Sequence, residues 1–424
     1  MAHTARVVGL PNLGNTCFLN SVLQSLASLR HFVSYLEGMR PTVGHASRAS
    51  FSRTLLQCLS QLAGGAAAAP SSTYPIAREV YEGLLRKAPT FQGRDQQDAQ
   101  EAFHALVDLV DEERIQLKNR LGSAYVVPLR SRRDFLRIHP APPFASGGLE
   151  ALLRPAAAVL PASFFGALPM QGTLCSSLRC VVCNTSKPLT VAPFIDISLP
   201  LPEAYQLYGG GASAHHASSN GFANGNGACL RAFMQEEEVE GVECDACTHR
   251  RRRERRIQER LRRGDGEGPE LRTFVKRLSL ARLPRVLCLH FCRRHYSPSR
   301  ERMVKLSQRV RFPLELTRDG LARCGASAAA DSDLYLLRAV IVHQGSADAG
   351  HYVAYRRVGR GAAWVCASDA AVRAATEEEV CACEAYMLFY EATSGSGGGG
   401  GGSGGCAKAG GGAGDAEEGL EAVA

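Results

Sequence analysis

The chain has 424 residues, 45% hydrophobic and 21% charged, a composition that suits a globular protein with room for a large core. No run of 18 or more apolar residues occurs, so no stretch is expected to span a membrane as a helix. The net charge of +8 is mostly local: residues 250–263, RRRRERRIQERLRR, hold nine Arg against two Glu. Without interleaved aromatic residues for base stacking, this run is expected to be a solvated helical hairpin tip or loop, and no nucleic-acid partner is expected. The start, MAHTARVVGLPN, lacks the apolar core of a signal peptide. Fifteen cysteines in such a chain predict a reducing compartment, with thiols serving catalysis and metal binding.

Residues 9–29, GLPNLGNTCFLNSVLQSLASL, predict a turn followed by a helix. Gly14, Asn15 and Thr16 break regular structure and offer caps, and Phe18, Leu19, Val22, Leu23 and Leu26 recur at helical spacing. Cys17 therefore falls at a helix N-terminus, where unpaired N–H groups and the positive dipole end are expected to lower its pKa. A thiolate there, paired with a histidine, is what a cysteine hydrolase needs. Further on, Phe51–Leu62 and Ile76–Leu85 predict helices separated by the loop GGAAAAPSS. Asp95 is expected to cap a long helix with an apolar stripe (Ala99, Ala102, Phe103, Leu106, Leu109, Val110) and a polar face (Asp98, Glu101, Asp108).

Residues 139–162, rich in Pro, Ala and Gly, predict a surface insertion. From Phe164 the pattern turns to strands, in FFGALPMQGTLCSSL and FIDISLPL. Residues 204–228 predict a mobile loop that carries His215 and His216 as exposed side chains. Strands resume at TFVKRLSLARL, RVLCLHFC, LYLLRAVIVH, HYVAYRRV and YMLFYEA. Residues 394–424, Gly-rich and then acidic, hold too little apolar content to fold, so they are expected to be a disordered tail.

Two Cys-x-x-Cys pairs, Cys180/Cys183 and Cys244/Cys247, stand in strand-flanked turns. Each pair can grip zinc from one turn, and together they complete a tetrahedral four-thiolate site with no open position, hence a structural zinc. The gap between the pairs exceeds that of a compact zinc ribbon and is accounted for by the Gly-rich insertion. Cys175 is a spare thiol nearby. Two histidines compete as the base for Cys17: His351, which leads the strand HYVAYRRV behind Gly350, and His343, which ends the strand before it. Asn12 lies five residues before Cys17 and on sequence alone serves equally as a turn residue.

Several motifs occur together in one order: GLPNLGNTCFLNSVLQSL, then GRDQQDAQEAFHALVDLV, then AGHYVAYRR. These resemble the Cys box, the segment that follows it, and the His box of the ubiquitin-specific proteases, from about Val8 to about Glu391. The resemblance implies an α+β, papain-like cysteine protease fold with thumb, palm and zinc-bearing β-rich fingers. It places the catalytic domain at 1–393 and the fingers roughly at 164–200 and 229–292. It implies hydrolysis of isopeptide bonds after the C-terminal glycine of ubiquitin, with ubiquitin and ubiquitinated proteins as partners. By residue, it implies Cys17 as nucleophile, His351 as base, Asn12 as oxyanion donor, and Asp98 and Glu101 as contacts for ubiquitin's arginine-bearing tail. The alternative, from a different class, is a catalytically inactive ubiquitin-binding scaffold.

The third triad position departs from the family's usual Asp or Asn: Trp364-Val365-Cys366-Ala367 is followed by Ser368 and then Asp369. A hydroxyl can orient imidazole but brings no charge, which a Cys–His ion pair is expected to tolerate. Ser368, and not Asp369, is therefore expected to matter for orientation. This serine, with the motifs above and WVCASDAAVRAAT, resembles a mitochondrial outer-membrane branch of the family that uses a Cys–His–Ser triad. That likeness implies opposition to mitophagy, a location at the mitochondrial outer membrane through an N-terminal anchor missing from this sequence, or a cytoplasmic location if the chain is complete as given.

Overall fold

A computed structural model describes residues 7–46, 50–64, 70–92, 97–120, 167–201, 226–258, 269–298, 300–323, 332, 334–359, 361 and 363–393. The expectations for Asp95, 139–162, 204–225 with His215 and His216, 259–263 and the tail at 394–424 fall outside these residues.

Five helices lead the chain: α1 (Cys17–Leu26), α2 (Arg30–Ala46), α3 (Phe51–Leu62), α4 (Pro70–Lys87) and α5 (Ala99–Arg120). The predicted bounds of α3 hold, α4 is longer than its periodic core, and α2 lacked a clear periodic signal. Asp98 caps α5, its Oδ1 accepting from the backbone N–H of Gln100 at 2.7 Å and of Glu101 at 3.3 Å. Every residue of α1 is buried. Its polar side chains survive burial because each finds a partner: Ser21 donates to Phe18 O, Ser25 to Ser21 O, and Gln24 Nε2 to Val8 O. Truncating Leu23 or Leu26, both without solvent exposure, would cost about 2–5 kcal/mol.

Fourteen strands follow among the described residues. The larger sheet has eight, in the order β13 (Ala371–Ala375), β12 (Trp364–Ser368), β11 (Gly350–Arg357), β10 (Leu334–Gly345), β14 (Ala385–Ala392), β6 (Val286–Phe291) and β3 (Ile197–Leu199), with β9 (Glu315–Thr317) also on β10. All pair antiparallel except β3 with β6. The central strands are continuous apolar runs because both faces are covered. Val286, Cys288, Ala339, Ile341, Met387 and Phe389 pack with α1–α5. Their alternates Leu287, Leu289, Val340, Val342, Leu388 and Tyr390 build a second core on the opposite face.

A separate four-stranded sheet, in the order β2 (Thr190–Phe194), β1 (Gly172–Cys180), β5 (Leu271–Arg282) and β4 (Glu237–Glu243), carries the cysteine pairs at one end. A short hairpin, β7 (Arg294–Ser297) with β8 (Arg302–Lys305), follows β6. Two expectations need correction here. The second cysteine pair opens helix α7 (Asp245–Gln258) and is not flanked by strand on both sides, and that helix carries the arginine run up to residue 258. Residues 226–228, assigned to the mobile loop, begin helix α6 (Asn226–Phe233), whose Cys229 and Leu230 are buried in the second core. No helix among the described residues is long and apolar enough to cross a membrane.

Candidate active site

Cys17 is the first residue of α1 and is 5% exposed. Thr16 holds the N-cap position, yet its hydroxyl turns back to accept from Leu13 N–H at 2.9 Å, so no side chain caps the first turn. Backbone N–H groups consequently surround the Cys17 sulfur: that of Tyr352 on β11, and those of Phe18 and Cys17 itself. The thiol is nevertheless not acidified as the helix start suggests. Burial pushes it up, the nearby Asp369 carboxylate adds to the effect, and the three backbone donors only partly offset them. Desolvation thus outweighs the helix end.

The Tyr352 contact joins Cys17 to β11, on which His351 is the preceding residue. Registration of β11 against β12 then carries Ser368 to His351, whose Nε2 lies 2.8 Å from Ser368 Oγ. Asp369 follows in a left-handed turn conformation (φ 49°), and its carboxylate points elsewhere. Oδ2 accepts from Asn12 Nδ2 at 3.0 Å, Oδ1 accepts from Asn20 Nδ2 at 2.8 Å, and its carbonyl accepts from Leu10 N–H at 2.8 Å. Gly9 is required beside this junction, since a Cβ there would lie 2.3 Å from Ala370 O. Asn12 in turn accepts from Gly14 and Thr16 N–H at 3.0 and 3.1 Å, which shapes the turn into α1.

His343 sits on β10 opposite Tyr352. Burial and the adjacent Lys305 ammonium hold it down at about 4, and its ring packs against Tyr352 at 4.6 Å between centroids. A Cβ on Gly350 would meet His343 Nε2 at 2.4 Å, so glycine there admits the ring. The ring belongs to the wall of a cavity of about 320 Å³, shared with Asp98, Lys305, Asp348, Tyr352 and Tyr386. Asp98 faces the cavity while its Oδ2 accepts from Tyr386 OH at 2.5 Å. Glu101, one turn along α5, is exposed and outside that wall.

Sequence reasoning overlooked the neighbouring pair His104–Asp196, 2.6 Å apart, with Gln100 Nε2 donating to Asp196 at 3.1 Å. Burial opposes protonation of His104, but the hydrogen bond and charge of Asp196 prevail and raise it. It also overlooked Asn20, three residues after Cys17 in the motif yet indistinguishable there from any polar helix residue.

At the far end of the four-stranded sheet, the sulfurs of Cys180, Cys183, Cys244 and Cys247 all lie within 4.8 Å of one another. Cys180 and Cys247 are 4.0 Å apart, and Cys183 and Cys244 are 3.4 Å apart. Tetrahedral zinc with sulfur at ~2.3 Å places its ligands ~3.8 Å apart, so the donor set fits the ion in number, chemistry and spacing. Among the described residues, Cys175 is outside this group.

The family model for ubiquitin carboxyl-terminal hydrolase matches residues 8–390. The chain belongs to the ubiquitin carboxyl-terminal hydrolase family. It is 31% identical over 398 residues to mouse ubiquitin carboxyl-terminal hydrolase 21, covering 91% of this chain and 61% of that protein. It is 30% identical over 395 residues to bovine ubiquitin carboxyl-terminal hydrolase 2, covering 92% and 55%. This member of the family therefore spans less than two thirds of the length of these relatives. Among solved structures, a SAGA DUB module of Ubp8, Sgf11, Sus1 and Sgf73 bound to monoubiquitin matches with a TM-score of 0.60. That match has 20% identity and covers 93% of this chain and 70% of that one. The fold is thus the family's papain-like α+β architecture, with α1–α5 as thumb, the eight-stranded sheet as palm and the four-stranded sheet as fingers.

Proposed function

We propose that the chain is a cysteine-dependent deubiquitinase that hydrolyses the bond after the C-terminal glycine of ubiquitin. The observation that carries this reading is the contact of His351 with Ser368, on the strand whose Tyr352 N–H meets the Cys17 sulfur. With His351 Nε2–H donating to Ser368 Oγ, Nδ1 is left to accept the Cys17 proton. The sulfur attacks the glycine carbonyl as His351 takes that proton, and His351 returns it to the leaving lysine amine. Water then hydrolyses the thioester, with His351 again as base. Asn12 and the backbone N–H of Cys17 stabilise the oxyanion, and Asp98 pairs with an arginine of ubiquitin's tail, with Glu101 a peripheral contact. The four cysteines hold a structural zinc that supplies only cross-linking. Ubiquitin in the similar SAGA structure supports ubiquitin and ubiquitinated proteins as partners.

The finer reading places the enzyme at the mitochondrial outer membrane, opposing mitophagy; Ser368 in place of the usual acid supports it. Reaction with a ubiquitin probe carrying a C-terminal electrophile tests the activity. Intact mass should show one adduct on Cys17, lost in Cys17→Ala. A folded protein that stays unlabelled, as an inactive scaffold would, overturns the reading. Fractionation of cells expressing the full-length protein tests the location, which falls if the protein is absent from mitochondria.

A further inference from the structure

His351 is delivered by a hairpin: β10 ends at Gly345, residues 346–349 turn, and β11 starts at Gly350, with Gln344 opposite His351. Ser346 N–H donates to Ala349 O at 2.7 Å and closes the turn on itself. Strand pairing with β14 and β12 ties the body of this hairpin to the palm, and a cation holds its far end. Lys305, the last residue of β8, donates its ammonium to His343 O at 2.6 Å and to Gly345 O at 3.1 Å. Its side chain is 7% exposed, and its nearest carboxylate, Glu384, stands 3.7 Å away. Desolvation works against the charge of Lys305, and Glu384 offsets part of that cost.

The anchor of Lys305 is itself anchored. Arg293, 2% exposed, donates Nη1 to Leu306 O and Gln308 O, both at 2.8 Å, and Nε to Ala385 O at 2.7 Å. The strand leaving β8 is thereby pinned to β14, which pairs with β10. The buried Arg293 and the half-buried Lys305 therefore link the palm's centre to the hairpin that carries His351.

We propose that Lys305 is a positioning residue: its ammonium grips the carbonyls of His343 and Gly345 and so fixes His351 against Cys17. The proposal rests on the cysteine-hydrolase reading of that pair. Charged and titratable groups around the grip are Glu384, Arg293, Arg294, Asp98, His343 and His351.

A double-mutant cycle on full-length protein tests it. Alkylation of Cys17 by iodoacetamide at pH 7, with the modified cysteine located by mass spectrometry, reports how well His351 draws the thiol proton. Lys305→Met should slow Cys17 alkylation about tenfold in the parent and leave the rate in a His351→Ala background unchanged. On a ubiquitin–amide reporter, kcat should fall by about the same factor with KM within about twofold. Equal slowing in both backgrounds would show a purely structural role and overturn the proposal, as would unchanged alkylation in the parent. A rise in KM at constant kcat would make Lys305 a substrate contact and also overturn it. If Lys305→Met does not fold, Lys305→Gln, which keeps a donor without the charge, goes through the same cycle and is judged by the same outcomes. A parent that alkylates at Cys17 but ignores the reporter refutes the ubiquitin reading while leaving the cycle intact.

Discussion

Asn12 donates its side-chain amide to Asp369 at 3.0 Å, joining the turn before Cys17 to the residue after Ser368. The last residue of β12 and the one after it thus divide the work between them. Ser368 contacts His351, and Asp369 holds the segment that leads into α1 through Leu10 and Asn12, and α1 itself through Asn20.

Both Ser368→Ala and Asp369→Ala should therefore lower kcat, each by roughly ten- to a hundredfold for a lost positioning hydrogen bond. They should differ in route. Ser368→Ala should change the pH dependence of Cys17 alkylation through His351, while Asp369→Ala should leave that profile in place and act on Asn12. Identical alkylation profiles for the two variants would refute the division. Ser368→Asp or Ser368→Asn should retain activity, since each restores an acceptor beside Nε2.

Purified protein should carry about one zinc per chain, by elemental analysis. Cys247→Ser should lose it and lower the melting temperature, because metal affinity in such a site is coupled to folding. Stoichiometric zinc retained by that variant would count against the assignment.

His343 makes stability pH-dependent. Its value falls from the ordinary 6.5 to about 4 in the folded protein, through burial first and Lys305 second. Between those values the unfolded chain binds a proton that the folded chain refuses. Its stabilising contribution is therefore complete above pH 6.5 and is lost as pH falls towards 4. Urea unfolding at a series of pH values should show a shallower acid slope in this window for His343→Gln than for the parent. Parallel curves would be evidence that the ring is not desolvated.

Asp98→Asn keeps the oxygen that caps α5 and removes the charge offered to an arginine-bearing tail. KM for a ubiquitin–amide substrate should rise about tenfold with kcat little changed. A loss confined to kcat would mean that Asp98 acts on the chemistry and not on binding.

Much of this protein was legible in one dimension. The turn into α1, the apolar runs of β6, β10, β11 and β14, and the two cysteine pairs are local patterns, and local patterns survive in a sequence. What required the fold were quantities summed over neighbours distant in the chain. The helix start suggested an acidic thiol, yet burial against β11 and the charge of Asp369 reverse the sign. Asp369 looked like a competitor for His351, but strand register turns its carboxylate to Asn12 and Asn20. Lys305 was an unremarked lysine because its partners are backbone carbonyls about forty residues away, which no side-chain pattern records. Residue type and spacing determine which groups are present; solvent exclusion and register, which exist only in three dimensions, decide what each group can do.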